Sequence, residues 1–167
     1  MIRRGGAWFM LIAGGMLLAA VIVRAEESPA PASPALANPG FEEGLSGWTQ
    51  GGWRVRDSRV KFSADLDVRH GGARSAKIEH PQGNDTHLVR VMTVQPDTLY
   101  KISAWIKTDG VRQAEYGHIG AALSILDTHI VSEDVEGTQD WTYRELWVRT
   151  AQAPLVLPLA CRGGHWG

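Results

Sequence analysis

From Asn38 onward, apolar residues recur at every second position over short runs, and no segment keeps the spacing of an amphipathic helix. The runs predict strands at 53–56, 60–65, 74–80, 86–95, 98–107, 117–127, 141–150 and 155–161. Turn-forming clusters separate them: His70-Gly71-Gly72, Pro81-Gln82-Gly83-Asn84-Asp85, Gln95-Pro96-Asp97 and Thr108-Asp109-Gly110. Short strands at this spacing predict an all-β fold, a two-sheet β-sandwich. A domain of about 130 residues buries enough surface to hold such a core without disulfides.

Alternation also assigns faces. In 99–107, Tyr100, Ile102, Ala104 and Ile106 share one face, and Lys101, Ser103, Trp105 and Lys107 the other. In 118–126, Ile119, Ala121, Leu123 and Ile125 look inward, whereas His118, Gly120, Ala122 and Ser124 look outward as a row of small residues able to floor a groove. In 142–149, Arg144, Leu146 and Val148 oppose Tyr143, Glu145, Trp147 and Arg149. Trp105 and Trp147 therefore fall on polar faces. The 86–94 run is mixed on both faces, and alternation leaves it unassigned.

The first 37 residues do not share this pattern. Ala7 to Val23 is wholly apolar or glycine, Arg3 and Arg4 precede it, and Val23-Arg24-Ala25 supplies small residues at −3 and −1 of a cut. Residues 1–25 read as a cleaved secretory signal or an uncleaved N-terminal membrane anchor. Both place the rest outside the cytoplasm: secreted, periplasmic or held at the cell envelope. Residues 26–37 (EESPAPASPALA) form a Pro/Ala/Ser linker. The sandwich occupies 38–167.

Composition narrows the function. The chain of 167 residues has 17 bases and 18 acids. Residues 1–25 hold three bases and no acid, so the remainder has 14 bases and 18 acids, no charge profile for a nucleic-acid binder. One cysteine, Cys161, excludes an intrachain disulfide and a cysteine zinc cluster; within its apolar run it reads as a small buried hydrophobe. No G-x-S-x-G, H-E-x-x-H or phosphate-loop pattern is present. The acid clusters Asp65/Asp67 and Glu133/Asp134/Glu136 sit in turn-like, solvated stretches, so no catalytic residue is assigned. Asn84-Asp85-Thr86 is a glycosylation sequon, which marks a loop. Seven tryptophans exceed the three Tyr and three Phe. Indoles beside hydrogen-bonding groups suit carbohydrate, whose pyranose rings offer an apolar C–H face and a rim of hydroxyls.

Several motifs occur in a familiar order: Asn38-Pro39-Gly40-Phe41-Glu42 with Gly47-Trp48, then His70-Gly71-Gly72-Ala73-Arg74-Ser75-Ala76-Lys77-Ile78, then Val94 to Lys107 (VQPDTLYKISAWIK), then Trp141 with Leu146 and Val148. In these the chain resembles carbohydrate-binding modules of the family 4, 9 and 22 type. The resemblance implies a jelly-roll sandwich of the galactose-binding-like kind. It implies a non-catalytic module that binds a polysaccharide or oligosaccharide, accessory to a glycoside hydrolase. It also implies a structural calcium, with Glu42 as side-chain ligand and the backbone carbonyls of about His70 and Ala73 as loop ligands. The family closes with a Trp/Phe-Asp-Asp-Val-like strand, and this sequence instead reads Arg162-Gly163-Gly164-His165-Trp166-Gly167. A fragment of a longer product, or a trimmed domain with an unpaired strand edge, is therefore expected.

The family's ligand cleft lies on the concave sheet face and draws on the strand near 86–88. Its usual aromatic is replaced here by Asp85-Thr86-His87. The expected ligand-binding set is Trp105, Trp147, Glu145, Asp85, His87, Tyr116 and His118. Trp48 and Trp141 match core positions, and Trp53 and Trp166 stay open. The missing cleft aromatic keeps an alternative in play, a structural or protein-interaction sandwich without sugar binding. Contact with a membrane is expected only through an uncleaved N-terminal segment.

Overall fold

One apolar face per strand drives the chain into antiparallel pairs that meet around a shared core. The computed structural model describes residues 36–53, 55–56, 59–80, 85–111, 120–153 and 156–164, all within the compact unit Ser33–Gly167. Its strands are β1 (Thr49–Gly52), β2 (Lys61–Asp65), β3 (Ser75–Glu79), β4 (Thr86–Thr93), β5 (Leu99–Val111), β6 (Ala122–Ile125), β7 (Gly137–Arg149) and β8 (Val156–Gly164). They form a four-stranded sheet in the order β1-β4-β8-β6 and two strand pairs, β2-β3 and β5-β7. All pairings are antiparallel. The all-β sandwich expected from alternation is the observed class.

Leu88 and Met92 of β4, Leu123 and Ile125 of β6, and Leu157 and Leu159 of β8 meet Leu146 and Val148 of β7 in the core. Tyr100, Ile102 and Ala104 of β5 and Phe62, Ala76 and Ile78 of β2-β3 pack against it. The faces assigned to 99–107 and 142–149 are therefore the observed ones. The structure also resolves the 86–94 run: Leu88, Met92 and Val94 are buried in the core, and His87, Val89 and Val91 lie on the opposite face. Cys161 packs against the core as a small hydrophobe. Burial pushes its thiol up to about 12.

The first motif folds into a turn that anchors Trp48. Asn38 donates from Nδ2 to the carbonyls of Gly44 and Ser46, at 2.9 and 3.1 Å, and accepts from the Glu43 N–H. The Trp48 indole donates to the Asn38 carbonyl at 3.2 Å and lies 4.9 Å from the Phe41 ring. Trp48 is core, as its motif implies. Trp141 is only half-buried.

The first strand lies elsewhere than alternation placed it. It runs over Thr49–Gly52, not 53–56, and pairs with β4 through Gly51↔His87 and Gly52↔Thr86. A Cβ at Gly51 would collide with the His87 ring, and Gly52 has φ 149. Glycine is what lets the two backbones approach here, and it leaves no hydrophobic signal. β5 and β8 run past their expected ends, and β7 begins at Gly137. β6 is shorter than the expected 117–127 strand, part of which lies outside the described residues.

Candidate functional site

On the face of the four-stranded sheet turned away from the core, register places His87, Arg162 and Ala122 in one row and Val89, Ala160 and Ser124 in the next. Ala122, Ser124 and Ala160 are short and buried, so they form a closed floor beneath this face and not an open groove. Of the expected outward row of small residues, Gly120, Ala122 and Ser124 are buried instead of exposed, and His118 lies outside the described residues. Arg162 crosses this floor: its Nη1 lies 3.1 Å from Asp85 Oδ1, and its Nε donates to Ser124 Oγ at 2.8 Å. The arginine side chain is only 11% exposed and that of Asp85 23%. A guanidinium fixed by a carboxylate and a hydroxyl is a rigid polar group with little rotamer entropy left to lose on binding.

His87 sits in the same row. Its Nδ1 is buried without a hydrogen-bond partner. A buried polar atom left unpaired costs about 1–3 kcal/mol, so a ligand hydroxyl or water that meets it recovers part of that. Burial holds the His87 imidazole below its ordinary value of 6.5; Asp85 opposes this shift and Arg162 adds to it. The ring is neutral at pH 7. The unfolded chain takes up a proton near pH 6.5, whereas folded His87 does so only at lower pH. Between those values the unfolded state binds more protons, so stability is full above pH 6.5 and falls as the pH drops through the window. Urea unfolding is expected to show a lower midpoint near pH 5 than near pH 7.5. His87→Gln should remove that part of the difference; an unchanged pH dependence in the variant would exclude His87 as its source.

Trp53 follows β1 directly, and its backbone N–H donates to the Asp85 carbonyl at 2.8 Å. Its indole is 68% exposed. The ring that sequence left open thus stands on the backbone next to Asp85. Sequence reasoning missed Arg162 entirely. A charged residue at outward parity, one position past the apolar run that ends at Cys161, was the available signal.

Trp105, Glu145 and Trp147 are in a different place, the outer face of β5-β7. Trp105 pairs with Tyr143, Ser103 with Glu145 and Lys101 with Trp147. Trp105, Tyr143 and Trp147 are 47%, 40% and 51% exposed. His70 stacks on Trp105 with ring centroids 4.2 Å apart, and Tyr143 meets it edge-on at 5.4 Å. Glu145 bridges Lys101 at 2.6 Å and accepts from the Trp147 indole at 3.0 Å. The Lys101 ammonium lies 5.6 Å from the Trp147 ring and 5.8 Å from the Tyr143 ring. The bonds from Lys101 and then Trp147 hold the Glu145 carboxyl below its usual range, and the same carboxylate raises Lys101. Because this face and the Asp85 face look outward from opposite sides of the core, the expected residues form two groups, not one. Tyr116, His118 and Trp166 lie outside the described residues.

Glu42 meets the 70–73 loop: both carboxylate oxygens accept from the Ala73 N–H at 3.1 Å. Gly72 has φ +69, and a Cβ there would strike Glu42 Oε1, so glycine admits the carboxylate. Calcium takes six to eight oxygen ligands. Among the described residues no group of three or more His, Cys, Asp or Glu side chains is placed to hold a metal ion. Glu42 with the carbonyls of His70 and Ala73 supplies fewer oxygens than such a shell holds.

A family model described as a carbohydrate binding domain, CBM_4_9, matches residues 33–146. The chain belongs to this family. The match to the carbohydrate binding domain takes in the Asn38 turn, the Glu42 contact, Asp85, His87, Trp105 and Glu145, and stops just before Trp147. β8, with Arg162, lies beyond it. No curated protein matches the chain.

Proposed function

We propose that this carbohydrate-binding domain holds a polysaccharide on the Asp85–His87–Arg162 face without cleaving it. The observation that carries the reading is the fixed Asp85–Arg162–Ser124 chain beside the unpaired His87 Nδ1, over a floor of alanines and serine. Sugar hydroxyls both donate and accept, and this face brings together a carboxylate, a guanidinium and an imidazole. Trp53 at its edge supplies a ring for C–H stacking. The module is proposed to belong to an exported or envelope-anchored protein and to serve a glycoside hydrolase by holding it near its substrate. The basic, apolar stretch 1–25 supports export, and family membership supports the accessory role. A second reading, favoured by the three half-exposed rings Trp105, Tyr143 and Trp147, places the sugar on β5-β7.

Affinity electrophoresis in gels containing β-glucan, xylan or mannan separates these readings. The chain is expected to be retarded by at least one polymer, with retardation lost in His87→Ala and Trp53→Ala, kept in Trp147→Ala, and no reducing ends released. Retardation lost only in Trp147→Ala would move the site to β5-β7. No retardation in any gel would leave the structural or protein-interaction alternative.

A further inference from the structure

Gly51 and His87 sit opposite each other across β1 and β4. Residues paired in this way project from the same face of a sheet, and here one of the two has no side chain. A Cβ on Gly51 would strike His87 Nε2 and would stand 2.9 Å from Cδ2 and 3.3 Å from Cε1. The imidazole therefore leans out of β4 and lies over β1, with Nε2 in the volume that a Cβ would take. Nδ1 is turned away from Gly51 and is buried without a partner. His87 as a whole is half-buried, and Nδ1 adds nothing to its exposure, so the open edge of the ring is the one over β1. Trp53 stands two residues past Gly51, with its backbone N–H held by the Asp85 carbonyl.

The two glycines of β1 differ in kind. Gly52 has φ +149, and a Cβ there would strike the Asp85 carbonyl oxygen, a backbone atom that cannot swing aside. Gly51 is not among the glycines with positive φ, and what blocks a Cβ there is the far end of one side chain. On the reading that this face holds the sugar, we propose that Gly51 is a positioning residue for His87: its missing side chain lets the imidazole lie over β1, so that Nε2, and not Nδ1, meets a sugar hydroxyl beside the Trp53 ring. The nitrogen of a neutral imidazole donates or accepts according to the tautomer, and a hydroxyl answers either. A ring seated on a glycine has little rotamer freedom left to lose on binding. The charged groups that act on the ring are Asp85, Arg162 and Asp127, and the first two are paired with each other. Any side chain at position 51 takes the place of Nε2 and turns the imidazole off β1.

Gly51→Ala is the test, read by calorimetry with an oligosaccharide of the retarding polymer and by NMR of the His87 ring. Affinity is expected to fall at least tenfold with the thermal midpoint retained. The double variant Gly51→Ala/His87→Ala should bind as His87→Ala does, because alanine at 51 acts only through the ring. Without sugar, His87 is expected to titrate below 6.5 in the unmodified protein and closer to 6.5 in Gly51→Ala, as the ring moves into water. The unmodified protein should also show nuclear Overhauser contacts from the His87 ring protons to the Gly51 Hα protons, a readout that needs no variant. Undiminished affinity in Gly51→Ala, a further loss in the double variant, an unmoved His87 titration, or the absence of those contacts would overturn the proposal. The two NMR readouts need no ligand. A chain that binds no polysaccharide therefore defeats the sugar reading, whereas a ring that is not seated on Gly51 defeats the positioning role.

Discussion

Arg162→Ala is expected to lower the unfolding free energy by about 3 kcal/mol, the lower end of what removing one partner of a buried ion pair costs. The size follows from what stays behind. The Asp85 carboxylate loses the guanidinium 3.1 Å away, and Ser124, 2% exposed, loses the donor to its hydroxyl. A mostly buried carboxylate without its cation either takes up a proton or draws in water. Urea unfolding at pH 7 measures the loss, and the melting temperature should fall by roughly 10 °C for a domain of this size. The double variant Asp85→Ala/Arg162→Ala should be less damaged than the sum of the two single variants, because neither charge is then left alone. Additive losses would mean that the pair contributes no coupling and that the network is not the rigid floor described above. Polysaccharide retardation should vanish in Arg162→Ala with the fold retained at low temperature.

Leu159→Ala is expected to cost a similar amount, about 3 kcal/mol, through a different mechanism. Leu159 lies on β8 between Arg90 of β4 and Ile125 of β6, and is 2% exposed. It does not border the cavity lined by Arg74–His80 and Ser103–Val111, so truncation opens a new void instead of enlarging an existing one. Loss of apolar transfer and loss of packing contacts add at such a site. Leu99→Ala, on the open face of β5, is the control, with a change within about 0.5 kcal/mol. If both substitutions cost the same, the core does not run through β8 as described.

The two halves of the molecule were unequally legible in the sequence. β5 and β7 each have one face on the core and one in solvent, so alternation gave Tyr100, Ile102 and Ala104 against Trp105 correctly. β4 lies between β1 and β8, and Val89 is buried on the face opposite Leu88; two buried faces erase the alternation. β1 has no apolar side chain, and its position is decided by how closely Gly51 and Gly52 approach β4. The candidate site was only partly readable for a related reason. Asp85 and His87 lie two positions apart in sequence, so both are legible there together. Arg162 reaches them only through the register of β8 on β4, where His87 pairs with Arg162 across a bulge. Trp105 and Trp147 were read correctly as outward-facing. That their outward face is not the face of His87 depends on which strands share a sheet, which alternation does not encode. The Glu42 contact with Ala73, 31 residues away, was legible only because both motifs occur together in the family.

A calorimetric titration with an oligosaccharide drawn from whichever polymer retards the chain decides which face holds the sugar. It compares the unmodified protein with His87→Ala and Trp147→Ala. Saturable heat from the unmodified protein, at least tenfold weaker binding in His87→Ala and unchanged affinity in Trp147→Ala are the predicted result. Equal affinity in the unmodified protein and His87→Ala would contradict the account, because the sugar would then bind without the face on which Asp85, His87 and Arg162 meet.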